Sequence, residues 1–183
     1  MLVADAGQPG NRAGLVDLLA RRRVPLGFIV AIAAVILSRP TWDSWRVGLL
    51  VALGGECIRV WAAGHLEKSR EVTRSGPYRV MRHPLYAGST VIAAGVVVAS
   101  RSVVLAALVT IYMVATIAAA VRTEEAYLDR AFGDTYDRYR RSNVEPMRRH
   151  FSIERALRNR EYRAVLGLLA GFAILALKLM LSI

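Results

Sequence analysis

Five apolar runs separated by basic, turn-forming stretches set the limits on how this chain can fold. They cover residues 24–38, 45–64, 84–100, 102–121 and 164–183. A run of about 20 apolar residues spans a bilayer as a helix, because the helix satisfies its own backbone hydrogen bonds in hydrocarbon. The runs therefore predict an all-α, multi-pass integral membrane protein of about five transmembrane helices, folded as one domain over residues 1–183. The first run is short; the flanking Arg21–Arg23 can snorkel, or Leu18 to Ala20 can lengthen it. Arginines followed by an apolar run resemble a signal peptide. Arg39-Pro40-Thr41-Trp42 then stands where small cleavage-site residues belong, so the run reads as an uncleaved span. The first 20 residues, with Gly, Pro, Asn and Asp, read as mobile apart from a short interfacial helix beginning near Leu15.

Charge fixes the expected orientation. The chain carries 25 Lys and Arg against 14 Asp and Glu, a net charge of +11, yet 55% of its residues are hydrophobic. Long apolar runs argue against a nucleic-acid partner and point to membrane lipids beside the basic blocks. With the N-terminus cytoplasmic, 20 of the 25 basic residues fall on the cytoplasmic side, including five in 65–83 and eleven in 122–163. The positive-inside rule thus predicts an inner- or plasma-membrane protein with its N-terminus in and C-terminus out. It also places the polar segments 65–83 and 122–163 on one face, where they can build one cytoplasmic pocket. Trp42 and Trp45 mark the opposite interface, and Lys178 snorkels from the last span.

Several residues inside or beside these runs are candidates for chemistry. Glu56 and Arg59 lie three apart in the second span, on one helix face, where they can pair; buried charges of this kind lock helices together or line a site. Cys57, the only cysteine, excludes an intrachain disulfide and reads as a small buried residue. The stretch Gly76-Pro77-Tyr78-Arg79-Val80-Met81-Arg82-His83-Pro84-Leu85-Tyr86-Ala87-Gly88 concentrates rigid, aromatic and basic groups between two spans. Gly76-Pro77 predicts a turn and Pro84 the first turn of a helix, so Arg82 and His83 sit at that helix's mouth. Arg101-Ser102 predicts a tight hairpin. Residues 122–132 continue the fourth span as helix, with Glu124, Leu128 and Phe132 on one face. Gly133 ends it and Asp134 caps a surface helix carrying Tyr136 and Tyr139. His65, His83, His150 and Cys57 lack zinc-site spacing, and no nucleophile elbow, phosphate loop or dinucleotide fingerprint is present.

Gly76-Pro77-Tyr78, Arg82-His83-Pro84, Tyr86 and Gly88, followed by Glu124-Glu125, Leu128, Phe132-Gly133, Tyr136 and Tyr139, resemble the isoprenylcysteine carboxyl methyltransferase family. That family is related to the phospholipid N-methyltransferases. The likeness runs from Trp61 to Pro146. It implies S-adenosylmethionine as cofactor, held between the cytoplasmic helix ends by His65, Val72, Thr73, Tyr78, His83, Pro84, Leu85, Tyr86 and Glu124. It implies a lipophilic or lipidated acceptor approaching from the bilayer. In the eukaryotic members an arginine one turn before the pocket glutamate binds the substrate carboxylate. Ala120 holds that position here, and the catalytic, acceptor-contacting role falls to the nearest arginine, Arg122. Two rival expectations are a sterol-reductase-like enzyme using NADPH and an inactive membrane scaffold.

Overall fold

The computed structural model describes residues 10–68, 70–141 and 147–181. The mobile reading of the first nine residues and the end of the likeness at Pro146 lie outside them. Among the described residues seven helices follow one another: α1 (Gly10–Leu37), α2 (Trp42–Ala63), α3 (Pro84–Ser100), α4 (Val103–Phe132), α5 (Asp134–Arg140), α6 (Ile153–Arg158) and α7 (Tyr162–Met180). One 3-10 turn, Gly76–Arg79, precedes α3. There is no strand among the described residues.

Local chemistry explains the boundaries. Thr41 and Ser44 form a reciprocal capping box at the start of α2. Pro84 occupies the first turn of α3, where its missing N–H costs nothing. Arg101, in the left-handed region at φ 51°, closes α3, and Ser102 accepts from the Leu105 amide to open α4. Gly133 (φ 44°) both ends α4 and opens α5. Asp134 is therefore the first residue of α5 rather than its cap, because the reversal needs the glycine's positive φ and moves the cap back by one.

Two helices, α4 and α7, are long and apolar enough to cross a membrane. Only 28% and 11% of their apolar windows are buried, so they are not core helices of a soluble fold. The apolar parts of α1 (Pro25–Leu37) and α3 are shorter, and Arg46, Glu56 and Arg59 interrupt α2.

Glycines set the closest packing. A Cβ on Gly48 would sit 2.5 Å from the Gly95 carbonyl, and one on Gly55 2.7 Å from the Gly88 carbonyl. Backbone thus meets backbone where α2 crosses α3. Ala52, Ala99, Leu168, Phe172 and Leu175 form the core between α2, α3 and α7. The Trp45 indole donates to the Phe172 carbonyl at 2.9 Å. Cys57 is exposed rather than buried: Gly48, Ala52 and Gly55 face the bundle, and Cys57 lies about 200° around α2 from Gly55. Lys178 does not snorkel outward; its ammonium caps α1 by donating to the carbonyls of Val35 (2.8 Å) and Ser38 (2.8 Å).

At the other end, residues 147–161 strap the C-terminus of α2. Asn159 donates to the carbonyls of Ala63 (2.8 Å) and Leu66 (2.9 Å). Arg155 donates to the Gly64 carbonyl and to Glu67 at 2.8 Å, Arg158 reaches Glu67 at 3.0 Å, and Arg149 reaches Glu71 at 2.9 Å. These bonds take up carbonyls that a helix end leaves open. The Arg155 hydrogen bond holds the Glu67 carboxyl below its ordinary range, against the opposing effect of burial. A depressed carboxylate stabilises the fold above its unfolded pKa and loses that contribution as pH falls through its folded value. Wild type should therefore unfold at higher temperature than Glu67→Gln at pH 7, and the two midpoints should converge below about pH 4. Parallel curves across that range would remove Glu67 from the strap's stability.

Candidate functional site

The two polar stretches meet at the end of the bundle where α2 finishes and α3 begins. His65 is buried just past α2. Its Nδ1 lies 3.0 Å from the Trp61 carbonyl, and its ring packs against Trp61 and Phe151. Gly76, at φ 56°, lies flat against that ring: an added Cβ would come within 2.6 Å of it. No other residue type would meet both the backbone angle and the clearance. Val72 and Thr73 are buried beside it, and the Thr73 hydroxyl accepts from the Glu67 amide at 3.2 Å.

Tyr78 is buried in the 3-10 turn, and its carbonyl accepts from the Tyr139 hydroxyl at 2.7 Å. Burial, then the Glu124 carboxylate, push the Tyr78 phenol far above its ordinary range. Burial likewise pushes Tyr136 up to about 12, helped by the Glu125 carboxylate, and Tyr139 up to about 12. All three phenols stay neutral at physiological pH, as hydrogen-bond donors rather than bases.

His83 caps the motif helix between two carboxylates. Its Nε2 lies 3.2 Å from Glu125 Oε1 and its Nδ1 3.8 Å from Glu124 Oε2. Arg82 also pairs with Glu125, at 3.3 Å. Tyr86 stacks on the His83 ring at 5.8 Å. Pro84 is fully buried and Leu85 half-buried; the Leu85 carbonyl accepts from Ser89 at 2.8 Å. The Glu124 side chain remains 43% exposed, available at the mouth of the site.

A second charged group lies deeper. Arg59 Nε sits 2.7 Å from Glu161 Oε1 and 3.9 Å from Glu56 Oε2, and its guanidinium also donates to Ser89. The pairing expected between Glu56 and Arg59 is thus a long one, because Glu161 takes the shorter bond. Both glutamate side chains are only 7% exposed, and neither oxygen of Glu56 has a hydrogen-bond partner. Glu161 escapes sequence reasoning because it stands about 100 residues from Arg59; its one signal is an acid three residues before the last apolar run. The strap residues Phe151, Arg155 and Asn159 are also recognisable only in three dimensions.

The structure gathers His65, Val72 and Thr73 around the Gly76 turn, and His83, Pro84, Tyr86 and Glu124 at the α3–α4 mouth. Tyr78 joins the two groups through its proximity to Glu124. Arg122 stands apart: it is exposed and about 200° around α4 from Glu124. Among the described residues, no group of three or more His, Cys, Asp or Glu is placed to hold a metal ion.

Comparison with known proteins adds the following. The chain is 30% identical over 138 residues to the nickel-cobalt-cadmium resistance protein NccN of Alcaligenes xylosoxydans xylosoxydans, covering 69% of this chain and 65% of that one. It is 28% identical over 150 residues to the cobalt-zinc-cadmium resistance protein CzcN of Cupriavidus metallidurans, covering 73% and 69%. The chain thus spans about two thirds of the length of these relatives. No solved structure matches it. The phospholipid methyltransferase family matches residues 48–135, a segment that holds the Glu56–Arg59 pair, the Gly76 turn, the α3 mouth and Glu124. Residues 48–135 are thus similar to the phospholipid methyltransferase family, which also takes in membrane methyltransferases of the isoprenylcysteine carboxyl type.

Proposed function

We propose that this protein is an S-adenosylmethionine-dependent methyltransferase of the membrane, acting on a lipophilic acceptor. Its five spans are the apolar parts of α1 to α4 and α7, and its N-terminus and pocket face the cytoplasm. The observation that carries the reading is the α3–α4 mouth within the family segment, where His83, Tyr86, Tyr78 and the half-exposed Glu124 converge. The donor set suits the cofactor: carboxylate for an ammonium or ribose hydroxyls, aromatic faces for a base and a sulfonium. The Gly76–His65 contact holds a buried imidazole in one orientation beside it. When bound, the cofactor supplies a methyl group activated on positively charged sulfur.

The chain's own part is to bind, to orient and to exclude water. Transfer is an in-line displacement, so acceptor placement governs the rate. Tyr78 stays protonated and orients by donating. A carboxylate acceptor needs no base, whereas an amine loses its proton to His83 or to Glu124 at the mouth. Arg122 contacts the acceptor from the outer face of α4. The relatives' names tie them to metal resistance, and we extend only that setting: growth with cobalt or cadmium is the condition in which to seek the acceptor.

Calorimetric titration of the detergent-purified protein with S-adenosylhomocysteine, with NADPH as comparison, tests the reading. Saturable binding of the first alone supports it; binding of NADPH alone replaces it with the reductase. Glu124→Ala should weaken S-adenosylhomocysteine about tenfold or more, the scale of one charge-assisted contact, in a protein of unchanged thermal midpoint. Arg122→Ala should leave that affinity intact and lower acceptor turnover. Wild-type affinity in Glu124→Ala would take Glu124 out of the pocket.

A further inference from the structure

Apolar side chains line a groove on the outside of the bundle, where the strap leads into α7. Its volume is about 310 Å³, at the lower end of small-ligand pockets. Ile153, Ala156 and Leu157 line it from one face of α6, Tyr162 and Leu166 from the first turns of α7, and Val60 from α2. Ile153 is 69%, Leu157 53% and Leu166 61% exposed, more contiguous hydrocarbon than a watery surface tolerates. Glu161, the charged residue in the lining, is taken up by Arg59 at 2.7 Å. The walls therefore favour a hydrocarbon occupant and offer it no free charge.

Free charge stands at the rim instead. Residues 148–163 carry six arginines against two glutamates. Arg149 pairs with Glu71, and Arg155 and Arg158 share Glu67. Arg160 and Arg163 are exposed, and no carboxylate among the described residues pairs with either. The Arg163 guanidinium lies 6.0 Å from the centroid of the Tyr162 ring, over a wall of the groove. Arg160, at φ 61°, turns the chain from α6 into α7. Since α7 is long and apolar enough to cross a membrane and starts at Tyr162, groove and rim fall where acyl chains meet headgroups.

We propose that this groove docks an anionic phospholipid of the surrounding leaflet, with one acyl chain along the α6 and α7 walls and the phosphate at Arg160 and Arg163. The proposal rests on α7 crossing the bilayer and not on methyl transfer. Guanidinium groups match phosphate oxygens in geometry as well as charge, and basic pockets beside membrane helices hold anionic headgroups. A lipid without net charge would fill the walls and leave the two arginines without a counter-ion. Seated there, the lipid covers the strap that carries Asn159 and Glu161, so its binding also stabilises the end of α2.

The test is native mass spectrometry of the detergent-purified full chain, titrated with dioleoyl phosphatidylglycerol or with dioleoyl phosphatidylcholine. Each arginine beside an anionic headgroup contributes about fivefold in affinity, so wild type should prefer the anionic lipid by roughly twentyfold. Arg160→Asn combined with Arg163→Gln should remove the preference; asparagine tolerates the left-handed backbone at 160. Lysine at both positions keeps the charge and should retain most of it. Leu166→Gln should weaken both lipids alike and leave their ratio unchanged. Should that variant fail to fold, Leu157→Gln alters the opposite wall with the same readout. Equal binding of the two lipids by wild type, or a preference that survives loss of both arginines, overturns the proposal. So does wild-type lipid binding in the leucine variants, which places the lipid elsewhere, or a dimer that Leu166→Gln dissolves, which gives the groove to a second copy. Wild type recovered from the soluble fraction without detergent takes α7 out of the bilayer and the proposal with it. S-adenosylhomocysteine binding in the same samples judges the methyltransferase reading separately.

Discussion

Replacing Arg59 with methionine should lower stability by about 3–5 kcal/mol, the usual cost of breaking a buried ion pair from one side. The loss follows from what stays behind: Glu161 without its 2.7 Å partner and Glu56 without its one nearby cation. For a chain of this size the thermal midpoint should fall by roughly 10 °C. Adding Glu161→Gln to Arg59→Met should recover part of the fall, because the two changes act on one contact and are not additive. Equal midpoints for wild type and Arg59→Met would mean that this ion pair does not hold the fold together.

The second large effect belongs to Gly55. A leucine there would place its Cβ 2.7 Å from the Gly88 carbonyl and 2.7 Å from the Ile92 amide nitrogen. Those atoms are backbone, so α2 and α3 must move apart rather than repack. Overpacking of cores costs about 1–3 kcal/mol where side chains can adjust, and this contact gives them no room. Because α2 carries Glu56 and Arg59 while α3 begins at the His83 mouth, separation should also abolish S-adenosylhomocysteine binding. The neighbouring Gly54 provides the control, since an added Cβ there meets nothing within 4 Å. Gly54→Leu should bind and melt like wild type. If Gly55→Leu did the same, the α2–α3 crossing would not be what positions the site.

What could be read in advance follows from the range over which each signal acts. Pro84 and Arg101-Ser102 are local instructions, and α3 runs from Pro84 to Ser100 as they require. Gly76-Pro77 likewise produces its turn, and Glu124, Leu128 and Phe132 share the less exposed face of α4. Asp134 shows the limit even of local rules: a glycine with positive φ next door outcompeted a good capping residue. Hydropathy could not say which side of α2 faces the bundle, so Cys57 was assigned to the core although it is exposed. The Arg59–Glu161 bond spans about 100 residues, and periodicity on either helix says nothing about such a partner. The same holds for the strap, whose Asn159 and Arg155 read as polar surface until α2 ends beneath them.

The strap has a consequence for modularity. The family segment ends at residue 135, yet Glu161, Phe151 and Asn159 close the end of α2 from beyond it. A fragment ending at 135 would keep the motif from Gly76 to Gly133 and lose the counter-charge of Arg59, the wall beside His65 and the cap on α2. Recognition signature and the means of holding it in shape are thus written in different parts of the chain. Transplanting the motif alone into another helical bundle would carry over the vocabulary of the site without its grammar.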